Sequence, residues 1–255
     1  MIEKSAHASA VKPKLSVITV VRNGASVIGP CIDSVLSQEL NDLEYIIIDG
    51  GSTDGTIDIV RGYGDAISTF ISEPDNGLYD AMNKGVSLAQ GEIIHFLNAD
   101  DRYFSSDTLA KLMPKLDRDA VCHAQMVYIE ASGEQRILGE RFSRKRELRA
   151  SRMPQPVMFV PVHMYRKVGL FDTQYRIAAD YEMVLRLTQR FPTRYIENPV
   201  TVMYAGGLSY QRPDLAFAES MRIARRYGRS LIGVWFDFFL KHLKWKVAVK
   251  LRALR

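Results

Sequence analysis

Cysteine is scarce in this 255-residue chain: Cys31 and Cys122 stand alone and far apart. Two isolated thiols make neither a disulfide framework nor a zinc site, and they read as reduced, buried side chains of a cytosolic protein. Long apolar runs are missing as well. No stretch approaches the roughly 18 to 20 residues that span a bilayer. Residues 1–14 hold no apolar segment of a secretory signal, so a flexible N-terminus on a cytoplasmic chain is expected. Two phosphate-binding signatures are also absent. There is no GxxxxGK(S/T) loop, and no GxGxxG follows the first strand. Finally, most of the chain lacks excess charge. The formal net charge is +5, but six cations and no acid fall in residues 241–255, which leaves 28 basic against 29 acidic residues elsewhere. A near-neutral body argues against a nucleic-acid-binding surface spread over the fold. It leaves a local attraction to something anionic.

What is present is an ordinary globular composition, 47% hydrophobic and 25% charged, in a length suited to one well-buried domain. Strand and helix patterns alternate. Leu15–Val21 is a continuous apolar strand, Ser26–Gln38 a helix, Glu44–Ile48 a second strand, and Thr56–Arg61 a second helix. Ile67–Ile71, the helix Gly77–Ala89 and the strand Glu92–Leu97 follow. This order implies βαβ units and a mostly parallel sheet flanked by helices. Later, Ser105–Leu116 reads as a helix with a Ser cap, and Ala120–Glu130 with Glu134–Leu138 as a hairpin. Arg141–Arg152 is a basic, mobile-looking connection. Met164–Gly169 and Ala178–Arg190 look helical, and Arg194–Tyr204 reads as a strand interrupted at Pro199. The expected layout is a domain over 15–230, with a ligand-binding half at 15–103 and a second cleft wall at 104–230, then a separate tail.

The stretch from Ser72 to Tyr103 organises the rest. Asn98-Ala99-Asp100-Asp101 follows the apolar run Ile93–Leu97, and carboxylates at the C-terminal end of such a strand sit where open α/β sheets bind ligands. Adjacent like charges need a cation or donors. Mg²⁺ commonly takes one or two carboxylates plus substrate phosphates. Upstream, Asp80, Asn83 and Lys84 share a helix face and are expected to converge on a polar ligand. Asp49, ending the second strand before Gly50-Gly51-Ser52-Thr53-Asp54-Gly55-Thr56, is placed to bond a ribose hydroxyl or a base N–H. Asp54 is open to that role or to a turn and N-cap role. His95 reads as core, and His163 as the start of a surface helix. Gly206-Gly207-Leu208-Ser209 reads as a plain turn or a closing loop.

The segments SVITVVRNG, IIIDGGSTDGT, SEPDNGLYDAMNKG, AQGEIIHFLNADD and IAADYEMVLRL, in this order and spacing, resemble the inverting family 2 glycosyltransferases of the GT-A fold. Among these they look like bacterial enzymes that build exopolysaccharide, colanic-acid-type or O-antigen repeat units. The resemblance covers about residues 15–210. It implies transfer of a sugar from a nucleotide-diphosphate donor, UDP first and GDP next, to a hydroxyl of a glycan or lipid-linked oligosaccharide. It implies that Val20, Val21, Arg22, Asp49, Asp54, Asp80, Lys84, Asn98 and Asp100 bind the nucleotide sugar. By the same likeness Asp100 and Asp101 hold Mg²⁺ or Mn²⁺, and Asp180 is the general base, with Glu182 in reserve. This chain departs from the pattern at Gly50, where many relatives have a second Asp. A sugar nucleotidyltransferase, which would want a GxGxR-type loop after the first strand, and an inactive nucleotide-sugar-binding scaffold are the alternatives.

The tail, residues 231–255, spaces Leu231, Trp235, Phe238, Phe239 and Leu243 helically and adds lysines. A basic amphipathic helix of this kind reads as an interfacial anchor, and the expected location is the inner face of the cell membrane.

Overall fold

The computed structural model describes residues 2–4, 13–236 and 239. The elements run β1 (Ile2–Lys4), β2 (Leu15–Val21), α1 (Ile28–Leu36), β3 (Leu43–Asp49), α2 (Thr56–Gly62), β4 (Thr69–Ser72), α3 (Leu78–Leu88), β5 (Ile93–Phe96), β6 (Arg102–Tyr103) and α4 (Thr108–Leu112). The second half contributes β7 (Val121–Ile129), β8 (Gln135–Leu138), α5 (Arg144–Glu147), β9 (Met158–Pro161), α6 (Val162–Val168), α7 (Ala179–Leu187), β10 (Thr193–Tyr204), α8 (Leu208–Gln211) and α9 (Pro213–Arg226). Residues 231–236 are helical too.

One sheet carries nearly all of this, in the order β1-β4-β3-β2-β5-β9-β7-β10-β6, with β8 on β7. Its parallel block is β4-β3-β2-β5. Antiparallel pairs flank that block, β1 on β4 and β9 on β5. The architecture is therefore mixed α/β with helices on both faces, as the alternation implies.

The apolar strands are buried on both sides, and their period-2 alternation divides the residues between two cores. Ile18, Val20, Ile46 and Ile48 pack with Met82, Val86 and Val184 from α3 and α7. Leu15, Val17, Tyr45 and Ile47 pack with Ile28, Ile32 and Val60 from α1 and α2. Burial on both faces explains why these strands are continuous apolar runs rather than alternating ones.

Four expectations need correction. Residues 2–4 form an edge strand, paired by Glu3 with Arg61 at 3.0 Å, while residues 5–12 lie outside the described residues. Arg141–Arg152 is built rather than loose: it holds α5, and buried Glu147 accepts the Arg152 N–H at 3.0 Å. The helix after the carboxylates starts at Thr108, with Asp107 rather than Ser105 before it and no side-chain cap bond. β9 was not expected, because Met158–Pro161 is short and leans on its antiparallel partners β5 and β7. Of the tail expected over 231–255, residues 237, 238 and 240–255 lie outside the described residues.

At the sheet end away from the parallel strands' C-termini, Ser16 Oγ donates to buried Glu44 at 2.5 Å and accepts the Gly91 N–H at 2.9 Å. A Cβ on Gly91 would meet the backbone nitrogen of Ser16 at 2.6 Å, and neither backbone can give way. Gly91→Ala is expected to cost about 1–3 kcal/mol, as overpacking does, read as a lower urea midpoint with an unchanged slope.

Candidate functional site

Strands β2, β3 and β4 end together: Val21 lies beside Asp49, and Asp49 beside Ser72. β5 joins on the other side of β2, and the Leu97 N–H continues the ladder to the Ile18 carbonyl at 3.0 Å. The residues after β2, β3, β4 and β5 therefore share one rim, and these are Arg22, the loop 50–55, Glu73–Gly77 and Asn98–Asp101. Val20 and Val21 are buried in opposite cores, so only their backbone faces the rim. Arg22 is exposed.

The loop after β3 is fastened to itself and to the loop after β2. Asp49 is fully buried. Its Oδ2 accepts the N–H groups of Gly51 at 3.1 Å and Ser52 at 3.0 Å and the Ser72 hydroxyl at 2.7 Å, while the Ser52 hydroxyl donates to Oδ1. Asp54 accepts from the Ala25 N–H at 3.1 Å and the Thr56 N–H at 3.1 Å. The Thr56 hydroxyl and then the Ala25 N–H hold its carboxyl below the usual range. Asn23, in the left-handed region at φ 52°, accepts the Thr53 N–H at 2.9 Å and gives its own N–H to Ser52 Oγ at 2.7 Å. Asp49 thus does not present its carboxylate outward as the sequence reading expected, because four chain donors hold it. Asp54 takes the turn-bracing role, and the helix cap itself is Gly55.

The shared face of Asp80, Asn83 and Lys84 is only partly realised. Lys84 Nζ lies 2.7 Å from Glu73, 2.5 Å from Asp75 and 3.9 Å from Asp80. Partial burial opposes the charged form, yet the bonds to Asp75 and Glu73 hold Lys84 above its ordinary value. Asp80 also accepts the Asn76 N–H at 3.0 Å. Asn83 turns away from this cluster. Its amide clasps Phe171, donating to the carbonyl at 3.0 Å and accepting the N–H at 2.8 Å. The sequence did not reveal Glu73 and Asp75, whose convergence on Lys84 depends on how the loop after β4 folds back over α3. A Cβ on Gly50 would come within 2.9 Å of Asp75 Oδ2, so glycine there leaves the room that Asp75 fills.

After β5 the chain turns at once. The Asp101 N–H bonds to the Asn98 carbonyl at 3.0 Å, and Asn98 Nδ2 donates to Asp101 Oδ2 at 2.8 Å. Asp100 points to solvent and Asp101 inward, 1% exposed. Burial, then repulsion from Asp100, pushes the Asp101 carboxyl up to about 8. A buried carboxylate beside a second acid and short of donors suits a hard cation. Among the described residues no group of three or more His, Cys, Asp and Glu forms a metal cage. Asp100 and Asp101 could thus be two ligands of an open cation site, not of a closed cage.

Asp180 lies in the first turn of α7, behind Ala178. Desolvation raises its carboxyl above the ordinary aspartate range. Tyr79 Oη of α3 lies 3.0 Å from Asp180 Oδ1 and 2.6 Å from the Ile177 carbonyl. Among the described residues no hydrogen bond or ion pair links Asp180 to Asp100 or Asp101. Glu182, the reserve candidate, is 1% exposed and committed to Arg186 at 2.7 Å and to the Tyr227 hydroxyl, so it is structural. His95 is core as expected: it bonds the Tyr103 hydroxyl at 2.7 Å and stacks on Phe159 at 4.2 Å. After Gly206 and Gly207 the chain enters α8, a single helical turn.

Comparison with known proteins gives a consistent picture. The family model described as Glycosyl transferase family 2 matches residues 16–171. A "PGL/p-HBAD biosynthesis glycosyltransferase" of Mycobacterium tuberculosis is 31% identical over 230 residues, covering 86% of this chain and 88% of that protein. An uncharacterized glycosyltransferase of the same species is 29% identical over 234 residues, covering 84% and 86%. Among solved structures, Staphylococcus aureus TarS 1–349 in complex with UDP-GlcNAc has TM-score 0.66 at 17% identity, over 84% of this chain and 66% of that one. The mannosyltransferase PcManGT of Pyrobaculum calidifontis, in complex with GDP-Man and Mn²⁺, has TM-score 0.65 at 20% identity, over 91% and 70%. The chain spans 39% and 65% of two other TarS chains. At such identities the structural likeness shows the fold alone.

The two roles open to Asn83 are separable. Asn83→Ala leaves the Phe171 amide without its partners and is expected to cost about 1–3 kcal/mol of unfolding free energy, while UDP affinity by calorimetry stays at the wild-type value.

Proposed function

The chain belongs to glycosyl transferase family 2, and from that membership we propose that it moves a sugar from a nucleotide-diphosphate donor to a hydroxyl of a glycan or lipid-linked saccharide, with inversion at the anomeric carbon. UDP-sugars are the favoured donors and GDP-sugars the next. The observation that carries the proposal is the pair after β5, exposed Asp100 beside buried Asp101, at the shared rim of the parallel strands. Bacterial surface polysaccharide synthesis is the setting we favour.

In this reading the nucleotide lies along the rim, on the backbone of Val20 and Val21 and beside Arg22, the one cation there with no ion pair among the described residues. The loop braced by Asp49 and Asp54 forms the floor. Asp80 and Lys84 border the site as part of the acid-rich cluster after β4, and Asn98 shapes the turn that presents Asp100 to the donor. Asp100 and Asp101 hold Mg²⁺ or Mn²⁺, which, when bound, acts as a Lewis acid for the departing diphosphate. An acceptor hydroxyl is a poor nucleophile, so a carboxylate must take its proton. Asp180 is assigned that role. Its raised pKa makes it a stronger base toward the acceptor hydroxyl than an ordinary aspartate, and it must be ionised to act. Turnover should therefore fall as the pH drops through the folded-state value, at a pH above the ordinary aspartate range.

The proposal is tested by titrating UDP and GDP into wild type and Asp101→Asn, with and without Mn²⁺, by calorimetry. Wild type should bind one nucleotide only with metal, and Asp101→Asn should weaken that binding on the order of tenfold or more. Asp180→Asn should keep the affinity and lose about 100- to 10,000-fold in turnover. Metal-independent binding by both proteins would remove the metal assignment.

No helix among the described residues is long and apolar enough to cross a membrane. We place the protein at the membrane surface through residues 231–255. Ile232, Trp235, Phe236 and Phe239 are exposed by 83%, 57%, 61% and 65%, and the six cations of 241–255 follow. Each cation near anionic lipid contributes roughly 1 kcal/mol. Deleting 231–255 should abolish co-sedimentation with phosphatidylglycerol-containing liposomes and leave UDP binding intact. Co-sedimentation unchanged by the deletion would refute the anchor.

A further inference from the structure

Asp180 stands at the start of a helix, and a helix start is only as well placed as the loop that leads into it. That loop, Arg176–Ala178, has no regular partner of its own. Glu219 of α9 reaches it from one side. Its carboxylate, 4% exposed, accepts three consecutive backbone N–H groups, from Arg176 at 2.8 Å, Ile177 at 2.9 Å and Ala178 at 3.0 Å. Tyr79 of α3 reaches it from the other side, its one hydroxyl proton shared between the Ile177 carbonyl at 2.6 Å and Asp180 Oδ1 at 3.0 Å. Tyr79 is itself held by stacking on Phe171, whose backbone Asn83 of the same helix clasps. A buried carboxylate that accepts three adjacent amides is satisfied by them and in turn fixes the backbone that supplies them. The residue two positions beyond the last of those amides is Asp180.

We propose that Glu219 and Tyr79 are positioning residues that clamp the Arg176–Ala178 loop and so aim Asp180 at the acceptor hydroxyl. The proposal rests on Asp180 being the base. It adds that the donor-side helix α3 and the C-terminal helix α9 together set where that base stands. Tyr79 and Asp80 are consecutive in α3, so one helix carries both the hydroxyl at Asp180 and an acid of the cluster that borders the nucleotide site.

The charged and titratable groups facing Asp180 are Tyr79 from α3, Glu219 from α9 and Glu147 from α5, with the backbone N–H of Tyr181 from its own helix. A hydrogen bond to the ionised form favours it. Removing the Tyr79 hydroxyl should therefore raise the pKa of Asp180 and move the acid limb of the turnover profile to higher pH. A merely structural tyrosine would lower the melting temperature and leave that limb in place.

The experiment compares wild type, Tyr79→Phe, Glu219→Gln and Asp180→Asn in the full chain with Mn²⁺. The readouts are UDP affinity by calorimetry, release of nucleoside diphosphate from UDP-glucose, UDP-GlcNAc and GDP-mannose across pH, and titration of the Asp180 carboxyl by ¹³C NMR, assigned by its loss in Asp180→Asn. Tyr79→Phe and Glu219→Gln should bind UDP as wild type does and lose between about 10- and 100-fold in turnover. Tyr79→Phe should also shift the acid limb and the NMR midpoint upward. If Glu219→Gln does not fold, Tyr79→Phe decides alone. With Asp180→Asn inactive, a wild-type turnover profile and an unmoved midpoint in Tyr79→Phe overturn the clamp and spare the base. Wild-type turnover by Asp180→Asn overturns both.

Discussion

Parallel pairing of β2 with both β3 and β5 is the constraint on which the site depends. Parallel strands need crossovers long enough to carry the chain back, and here α1 and α3 supply them. Every such return brings a loop to the same edge of the sheet. Residues 22, 49, 73 and 98, far apart in the chain, therefore open onto one rim, where the Glu73 N–H bonds the Asp49 carbonyl at 3.1 Å. What aligns the strands beneath them is apolar: burial on both faces, with register fixed by alternation between the core of Ile18 and Ile48 and the core of Val17 and Ile47. A one-residue slip would exchange those two sets of side chains. The polar loops are then free to differ in chemistry.

Their acids divide according to who supplies the hydrogen-bond donors. Asp49 has four donors from its own loop and from Ser72, Asp54 has the amides of Ala25 and Thr56, and Glu182 has Arg186 and Tyr227. Such carboxylates stabilise the fold without any ligand. Asp101 is as buried as Asp49 but receives only the Asn98 amide, and its neighbour is another acid. The difference is electrostatic rather than positional: both stand at a strand end, and the chain supplies four donors to one and a single amide to the other.

This division explains how far the sequence could be read. The βαβ order, the strands from Leu15 to Phe96 and the rim location of Asp100 and Asp101 follow from apolar periodicity and from where strands end, which are local properties. The orientation of Asp49 depends on Ser72, and the turn role of Asp54 on Ala25, about 20 and 30 residues away, so no local pattern shows either. Likewise Asn83 and Lys84 lie on neighbouring positions of one helix yet serve different partners, Phe171 and the acids after β4. Helical spacing indicates which side chains share a face; tertiary packing decides what meets that face. β9 was missed for a related reason, since four residues beside Pro156 become a strand only because β5 and β7 offer open edges.

Charge at the rim is largely neutralised within the chain on the β4 side. Lys84 has its ammonium surrounded by Glu73, Asp75 and Asp80, so this cation lends no net positive potential to the loop after β4. On the far side of β2, Asp100 adds an exposed acid, and the carboxyl of buried Asp101 is pushed up to about 8. A naked diphosphate approaching such an edge meets repulsion that Arg22 alone does not offset. In the proposed reading, a divalent cation held by Asp100 and Asp101 would supply the positive charge that Arg22 alone otherwise brings to a diphosphate at this edge.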